Sequence, residues 1–370
     1  MAFDTKNHII ATVTSIKVSI SNSGEFMSKN VLITGGAGFI AHHVIERILT
    51  TTDWNIVSLD RLDYSGNLNR LHNMIMEYPA ETRKRLKIVF HDLKAEINPQ
   101  TRSMIGPIDI VMHLAAGSHV DRSIEFPMEF VMDNVVGTAN ILEYARKVPN
   151  LERFVYFSTD EVFGPAPTGV YYKEYDRYNS TNPYSATKAG AEELCISYEN
   201  SFKMPMYITH TMNVFGQRQH PEKYIPMCIR KVQNGQSITV HSDSTRTIPG
   251  SRHYIHAADV ADAMMFLLDL KDFVMPPEFG GAKCPKFNIV GKQEINNLEL
   301  AQLIADAQGK PLNYEMVDFH SSRPGHDLRY SLSGEFMRGL GWEPKIDLTE
   351  RINQVVHWTL ANKEWLSINE

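Results

Sequence analysis

From Asn30 onward, short and nearly continuous apolar runs alternate with longer stretches of helical period: NVLITGG, AHHVIERILTT, NIVSLDR, LKIVFHDL, IDIVMHLAA, FVMDNVVGTANILEYARKV and RFVYFSTD. Strands that are apolar at almost every position suit a sheet covered on both faces. The alternation therefore predicts an α/β fold built on a doubly wound parallel sheet. After MYITHTMNVFG the pattern changes. Residues 217–252 are rich in Arg, His, Pro and Ser, and a second irregular stretch covers about 291–345. Between them YIHAADVADAMMFLLDL carries Ala, Val, Met and Leu at helical spacing and predicts an amphipathic helix. The expected division is a nucleotide-binding unit of residues 27–216 with 253–290, and a smaller C-terminal substrate-binding unit of 217–252 with 291–370. Residues 1–26 lack a basic start and an apolar core, so they read as a loose tail rather than a secretory signal.

Composition narrows the class. A chain of 370 residues buries roughly 75% of its unfolded surface, enough for a large core. A formal net charge of -6 excludes a protein that coats nucleic acid phosphates with a basic face. Cys195, Cys228 and Cys284 have neither metal-like nor disulfide-like spacing, which predicts ordinary thiols in a reducing, cytoplasmic setting. No run of about 18 apolar residues offers a membrane span. His42 and His43 are adjacent at a helix start and the other histidines lack ligand spacing, so no metal site is expected.

The first chemical signal is ITGGAGFIAHHV, which follows a strand and opens a helix. Gly35 allows the tight turn, Gly38 lets backbone approach a pyrophosphate at the positive end of the helix, and Ala41 replaces the third glycine. Asp60, about 20 residues on at the end of NIVSLD, suits a carboxylate that accepts from adenosine ribose hydroxyls. An acid there disfavours a 2′-phosphate and so favours NAD over NADP, while Arg61 beside it leaves the reverse open. Asp92 and Leu93 of HDL are candidates for the adenine edge. A dinucleotide loop on a doubly wound sheet predicts a Rossmann-type core.

The second signal is NPYSATKAGAEEL, with Tyr184 and Lys188 four apart behind the helix entrance Asn182-Pro183. Residues i and i+4 share one helical face, which brings an ammonium near the phenol. Moving a tyrosine from about 10 towards 7 takes about 4 kcal/mol, which that ammonium and a cationic nicotinamide can supply in a partly desolvated site. Such a tyrosine takes a proton from a sugar hydroxyl while its carbon gives hydride to NAD. Alone, the spacing is as common on solvated helices; downstream of a dinucleotide loop and of FSTDEVFG it points to catalysis. That stretch sets Asp160 beside Glu161 where a buried strand ends. Adjacent strand residues point to opposite faces, so both acids address one ligand only if the strand gives way to an irregular turn at about Thr159.

Read in order, TGGAGFI, LDRLDYSGNL, HLAAGSHVDRS, FSTDEVFG, YSATK, FGQRQHPEKYIP, SRPGHDLRY and LGWEP resemble the extended short-chain dehydrogenase/reductases, and within them the nucleotide-sugar 4,6-dehydratases. The resemblance covers about residues 29–366. It implies tightly held NAD and a dimer through a four-helix bundle formed around residues 127–147 and 184–202. It implies a cofactor site of Gly35, Gly38, Phe39, Ile40, Asp60, Leu62, Asp63, Asp92, Leu93, Leu114, Ala115, Ala116, Ser158, Tyr184 and Lys188. On the substrate side it implies Ser118, Thr159, Asn213, Lys223, Tyr224, Ile225, Pro226, Arg252, Asn288, Arg323 and His326. Tyr184 becomes the base at the sugar C4 hydroxyl, Lys188 its partner, Asp160 the general acid and Glu161 the general base of an elimination. The implied reaction converts an NDP-hexose, dTDP- or UDP-glucose, to the 4-keto-6-deoxy sugar, a hydro-lyase activity of deoxysugar biosynthesis. An NDP-sugar epimerase or decarboxylase is the enzyme alternative, and a silent NAD-binding scaffold the remote one. Three departures stand out. Gly117 replaces the usual acid before Ser118, Asp133 stands where the family often has Thr, and SDSTRTIPGSRHYIH is longer than the family's loop.

Overall fold

The computed structural model describes residues 28–270, 273, 275–276, 284–319 and 328–367. The expected tail and the candidate substrate residues Arg323 and His326 lie outside the described residues. The central sheet has seven strands in the order β10-β6-β5-β4-β1-β2-β3. They are β1 (Asn30–Thr34), β2 (Asn55–Asp60), β3 (Leu86–Phe90), β4 (Ile110–His113), β5 (Arg153–Thr159), β6 (Met206–Thr211) and β10 (Lys286–Ile289). Every pairing among them is parallel. Strand order reverses between β1 and β4, and the crevice outside the carboxyl ends at such a point is where α/β sheets bind ligands.

The continuous apolar runs follow from double-sided burial. Val31 and Ile33 of β1 face one core with the helices Phe39–Thr51 and Ala257–Asp269. Leu32 faces the other, with the helices Gly137–Ala145 and Pro183–Phe202. The edge strand β3 departs from that expectation: only one neighbour covers it, and Ile88 and Phe90 are exposed.

Two other runs are divided where sequence pattern shows one element. MYITHTMNVFG ends its pairing in the main sheet at Thr211, and β7 (Asn213–Phe215) joins a three-stranded sheet with β9 (Ser251–His256) and β11 (Glu294–Asn296). Tyr254, Ile255 and His256 belong to β9 rather than to the predicted helix. That helix starts at Ala257 because the His256 imidazole caps it, accepting the Ala258 N–H at 3.1 Å. A third core holds the C-terminal helices Tyr224–Gln233, Asn297–Ala307 and Leu348–Ala361. A two-stranded sheet of β8 (Ile238–Ser242) and β12 (Tyr314–Asp318) flanks them.

His42, His43, His113 and His256 are buried. Burial lowers all four below the usual imidazole value of 6.5, His43 and His113 to about 3. Each is neutral in the fold and binds a proton more readily when unfolded, so their contribution to stability is complete above about pH 6.5 and declines as pH falls towards 3. The urea midpoint is expected to drop between pH 8 and pH 5, with a shallower drop in His43→Gln; a midpoint unchanged over that interval would contradict the assignment.

Candidate active site

A cavity of about 380 Å³ opens at the carboxyl ends of β1, β2, β4 and β5. Its floor is the glycine loop. Gly35 has φ +70°, and a Cβ on it would sit 2.8 Å from the Ala115 backbone. A Cβ on Gly38 would sit 2.8 Å from the Gly35 carbonyl. Gly38 is the N-cap of the Phe39–Thr51 helix and no side chain caps it, so the helix presents N–H donors and its positive end beside Gly38, Phe39 and Ile40, which line the cavity. A loop of this geometry suits a diphosphate.

Asp60 lines the same cavity, and its carboxylate also does structural work. Its oxygens accept the N–H groups of Ala37 at 3.0 Å and Leu62 at 2.8 Å, tying the phosphate loop to the segment after β2. Each oxygen keeps a lone pair for a ribose hydroxyl. Asp63, Asp92, Leu93, Leu114, Ala115 and Ala116 line the cavity as expected. Leu62 does not: with φ +59° its side chain turns into the core while its backbone serves Asp60. Arg70 is a lining residue that sequence reading missed, since nothing in its spacing distinguishes it from a surface cation. Its guanidinium is buried and donates to the carbonyls of Ala37, Ser65 and Arg218.

At the other end β5 stops at Thr159 and Asp160–Phe163 form a 3₁₀ turn, the break that the acid pair requires. Thr159 Oγ1 caps that turn, accepting the Glu161 N–H at 3.4 Å and donating to Asp160 Oδ1 at 3.0 Å. The Tyr184 phenol lies beside the same threonine, and both line the cavity. Asn182 opens the Pro183–Phe202 helix with a reciprocal cap to Ser185 and donates from Nδ2 to Glu161 Oε2 at 3.3 Å. One helix start therefore fixes both the tyrosine and a carboxylate of the turn. Thr159, Tyr184 and Lys188 line the cavity, whereas Asp160 and Glu161 stand behind Thr159 and beside Tyr184. The expectation that both acids face the cavity directly is corrected to that extent.

Burial raises Asp160 to about 6, and burial with the Asp160 charge raises Glu161 to about 7. Two carboxyls this close share a proton near neutral pH and titrate as a pair. Burial alone leaves that proton on Glu161, the reverse of the implied roles. Hydrogen bonds serve both: Thr159 donates to Asp160 Oδ1 and Asn182 to Glu161 Oε2, and the Arg252 charge acts on each carboxyl. Asp160 Oδ2 is buried without a hydrogen-bond partner among the described residues, so it can take the shared proton, and the state with Glu161 ionised lies close in free energy to its reverse.

Lys188 does not touch the phenol. Its ammonium donates to the Phe157 carbonyl at 2.7 Å, over the Tyr156 ring, and burial lowers it to about 7. Burial, then the charges of Glu161 and Asp160, push the Tyr184 phenol up. The predicted Lys188 effect on Tyr184 is thus absent from this arrangement, because the carbonyl at the end of β5 competes for the ammonium. Ser158 reaches the cavity, yet its hydroxyl donates to Glu192 Oε2 at 3.0 Å.

Of the expected substrate contacts, Ser118, Asn213, Lys223, Tyr224 and Ile225 line the cavity. Pro226 is buried in the Tyr224–Gln233 helix. Arg252 donates to the carbonyls of Ser251 and Leu328 and lies over Tyr330, near the acid pair but outside the cavity lining. Asn288 is fully buried, donating to the carbonyls of Tyr172 and Ser333, so it braces β10 rather than meeting substrate. Of the long stretch SDSTRTIPGSRHYIH, residues 242–256, Tyr254 of β9 lines the cavity and residues 243–250 do not. Among the described residues no cluster of His, Cys, Asp or Glu is placed to hold a metal, and no helix is long and apolar enough to cross a membrane.

A family model described as GDP-mannose 4,6 dehydratase matches residues 32–355. The dTDP-D-glucose 4,6-dehydratase of Mus musculus is 35% identical over 343 residues, 90% of each chain. A trifunctional UDP-glucose 4,6-dehydratase, 3,5-epimerase and reductase of Arabidopsis thaliana is 34% identical over 92% of this chain and 48% of its own length. Among solved structures, dTDP-glucose 4,6-dehydratase from Streptomyces venezuelae with NAD bound matches with a TM-score of 0.77 and 30% identity, over 91% of this chain and 98% of that one.

The turn that presents the acid pair closes at Gly164, φ +75°, where a Cβ would fall 2.2 Å from the Asn179 carbonyl oxygen. Gly164→Ala is expected to cost about 1–3 kcal/mol of stability through backbone strain and that collision. Thermal unfolding of the variant checks it; an unchanged melting temperature would mean that the turn tolerates a side chain there.

Proposed function

The chain belongs to the GDP-mannose 4,6 dehydratase family, and we propose that within it the protein is an NAD-dependent NDP-glucose 4,6-dehydratase, a hydro-lyase acting on dTDP- or UDP-glucose. The observation that carries this reading is the junction at Thr159. A tyrosine and two acids meet there, at one end of a cavity whose other end is a diphosphate cradle. Epimerisation at C4 needs the tyrosine and the cradle but gives the acid pair no task, which favours elimination.

Tyr184 takes the proton of the sugar C4 hydroxyl as that carbon is oxidised. The chemistry that NAD supplies when bound is to store the C4 hydride and return it at C6, with no net redox change. A bound cationic ring and an ammonium freed from Phe157 both favour the phenolate, so Tyr184 becomes competent only in the loaded site. The C4 ketone acidifies the proton on C5. Glu161, in the state of the pair that leaves the shared proton on Asp160, removes the C5 proton; Asp160 protonates the C6 oxygen, which leaves as water; and Glu161 returns a solvent-exchanged proton to C5 as the hydride arrives at C6. Thr159 is the hydroxyl between sugar and acids. Ser118, Asn213, Lys223, Tyr224 and Ile225 hold the sugar nucleotide, with Arg252 balancing the acid pair from behind.

In this reading residues 27–216 with 253–290 carry the cofactor, and 217–252 with 291–370 carry the sugar nucleotide. A homodimer is supported by Met128 and Met132, exposed on the segment that the resemblance assigns to a four-helix interface. Three free, buried cysteines suit a cytoplasmic enzyme.

Turnover of UDP-glucose and dTDP-glucose in deuterated water, followed by NMR, tests the reaction. Expected is a 4-keto-6-deoxy product with deuterium at C5; a C4 epimer without that label would sink the proposal. Asp160→Asn and Glu161→Gln are each expected to lose about 10²–10⁴-fold in rate with NAD still bound, and near-normal rates would remove the pair from the chemistry.

A further inference from the structure

The cofactor end of the cavity holds an ion pair that no step of this reaction uses. Asp133 lies in a π-helical turn, Val131–Val136, and lines the cavity with Arg61. Its carboxylate meets the Arg61 guanidinium end on: Nη1 donates to Oδ1 at 2.5 Å and Nη2 to Oδ2 at 2.7 Å. Asp63 Oδ2 takes Nε at 3.2 Å and Nη2 at 2.7 Å, and Asp92 Oδ1 takes Nη1 at 3.5 Å. A guanidinium has five N–H donors, and all five here point at carboxylates.

Two local features seat Asp133. A Cβ on Gly117 would lie 3.2 Å from the Phe130 ring, a tight approach, and in contact with Asp133 Oδ2 at 3.4 Å, so a longer side chain at 117 would press on this carboxylate. The next residue, Asn134, pins the backbone: it accepts the Gly117 N–H at 2.7 Å and donates to the Gly117 carbonyl at 3.2 Å. The wall beside the cradle thus carries Asp60, Asp63, Asp92 and Asp133 against Arg61, Arg70 and Lys94, an excess of one negative charge.

We propose that Asp133 sets the choice of cofactor, by holding Arg61 among carboxylates and so denying its guanidinium to a phosphate on the adenosine 2′ position. Asp60 alone leaves that choice open, because the neighbouring arginine is the residue type that receives a 2′-phosphate. Removing Asp133 frees the Nη1–Nη2 edge, the fork that matches a phosphate, while Asp63 keeps the remaining edge in place. The inference rests on the reading that this cavity takes a nicotinamide dinucleotide.

The test reads bound cofactor rather than activity. Full-length protein is equilibrated with an equal mixture of NAD and NADP and desalted, and the retained dinucleotides are released with acid and quantified. Wild type is expected to retain NAD almost alone. In Asp133→Thr and in the near-isosteric Asp133→Asn, the retained NADP to NAD ratio is expected to rise about tenfold, the equivalent of one charge-assisted hydrogen bond. Adding Arg61→Met to Asp133→Thr is expected to abolish the gain. A rise of less than threefold in both single variants, or a gain that survives Arg61→Met, overturns the proposal. Wild type that retains neither dinucleotide overturns the cofactor reading and this inference with it, which separates the two failures.

Discussion

A β-strand alternates its side chains between two faces, and a site that needs consecutive residues at one place has to break the strand. That constraint organises the acid-pair end of the cavity. Phe154 and Tyr156 of β5 pack in one core, Val155 and Phe157 in the other, and the alternation ends when Thr159 caps the 3₁₀ turn. From there Asp160 and Glu161 no longer diverge. The helix Pro183–Phe202 depends on the same junction, since its cap Asn182 reaches back to Glu161 and Tyr184 meets Thr159. The close approach at Gly164 and the tyrosine–threonine contact are consequences of one strand ending where it does.

The junction concentrates groups that water would otherwise stabilise, and the protein compensates from the opposite side of β5. Glu192, two turns beyond Tyr184, is fully buried and accepts from Ser158; Lys286 and His210 lie 2.7 Å and 3.2 Å from it. Burial pushes its carboxyl up, but His210 and Lys286 outweigh that and hold it down to about 2. Phe163, the last residue of the 3₁₀ turn, packs edge-on against His210 and Tyr178 of this cluster. A satisfied ionic cluster thus braces the back of the turn, while its front keeps an unpartnered oxygen on Asp160. Buried polar groups rigidify where all their bonds are made and stay reactive where one is left open.

Much of the fold was legible because double-sided burial writes continuous apolar runs, and those runs gave β1, β2, β4, β5 and β6. Where the physics is tertiary, the pattern fell silent. Nothing in MYITHTMNVFG marks Met212 as the point where one sheet hands the chain to another, and a single imidazole cap moved the start of the Ala257–Asp269 helix. Residue type and spacing singled out the glycine loop, Asp60, Thr159, Tyr184 and Lys188, and the fold brings all of them to one cavity. They could not reveal that Lys188 bonds to a carbonyl, that Leu62 and Asn288 point into packed interior, or that Arg70 lines the cavity. Those facts depend on which backbone groups compete for a side chain, and long-range pairing decides that competition.

The two ends of the cavity use charge in opposite ways. At the catalytic end the carboxyls are close, buried and incompletely paired, so a proton moves between states of similar free energy near neutral pH. At the cofactor end Arg61, Asp63 and Asp133 are closely paired, an arrangement that resists exchange of partners. Gly117 connects the two designs. It lines the cavity between them, and a Cβ there would stand 3.2 Å from the Phe130 ring and 3.4 Å from the Asp133 carboxylate. A side chain longer than a methyl at 117 would press on Asp133, and with it on the paired bonds that hold the Arg61 guanidinium in place.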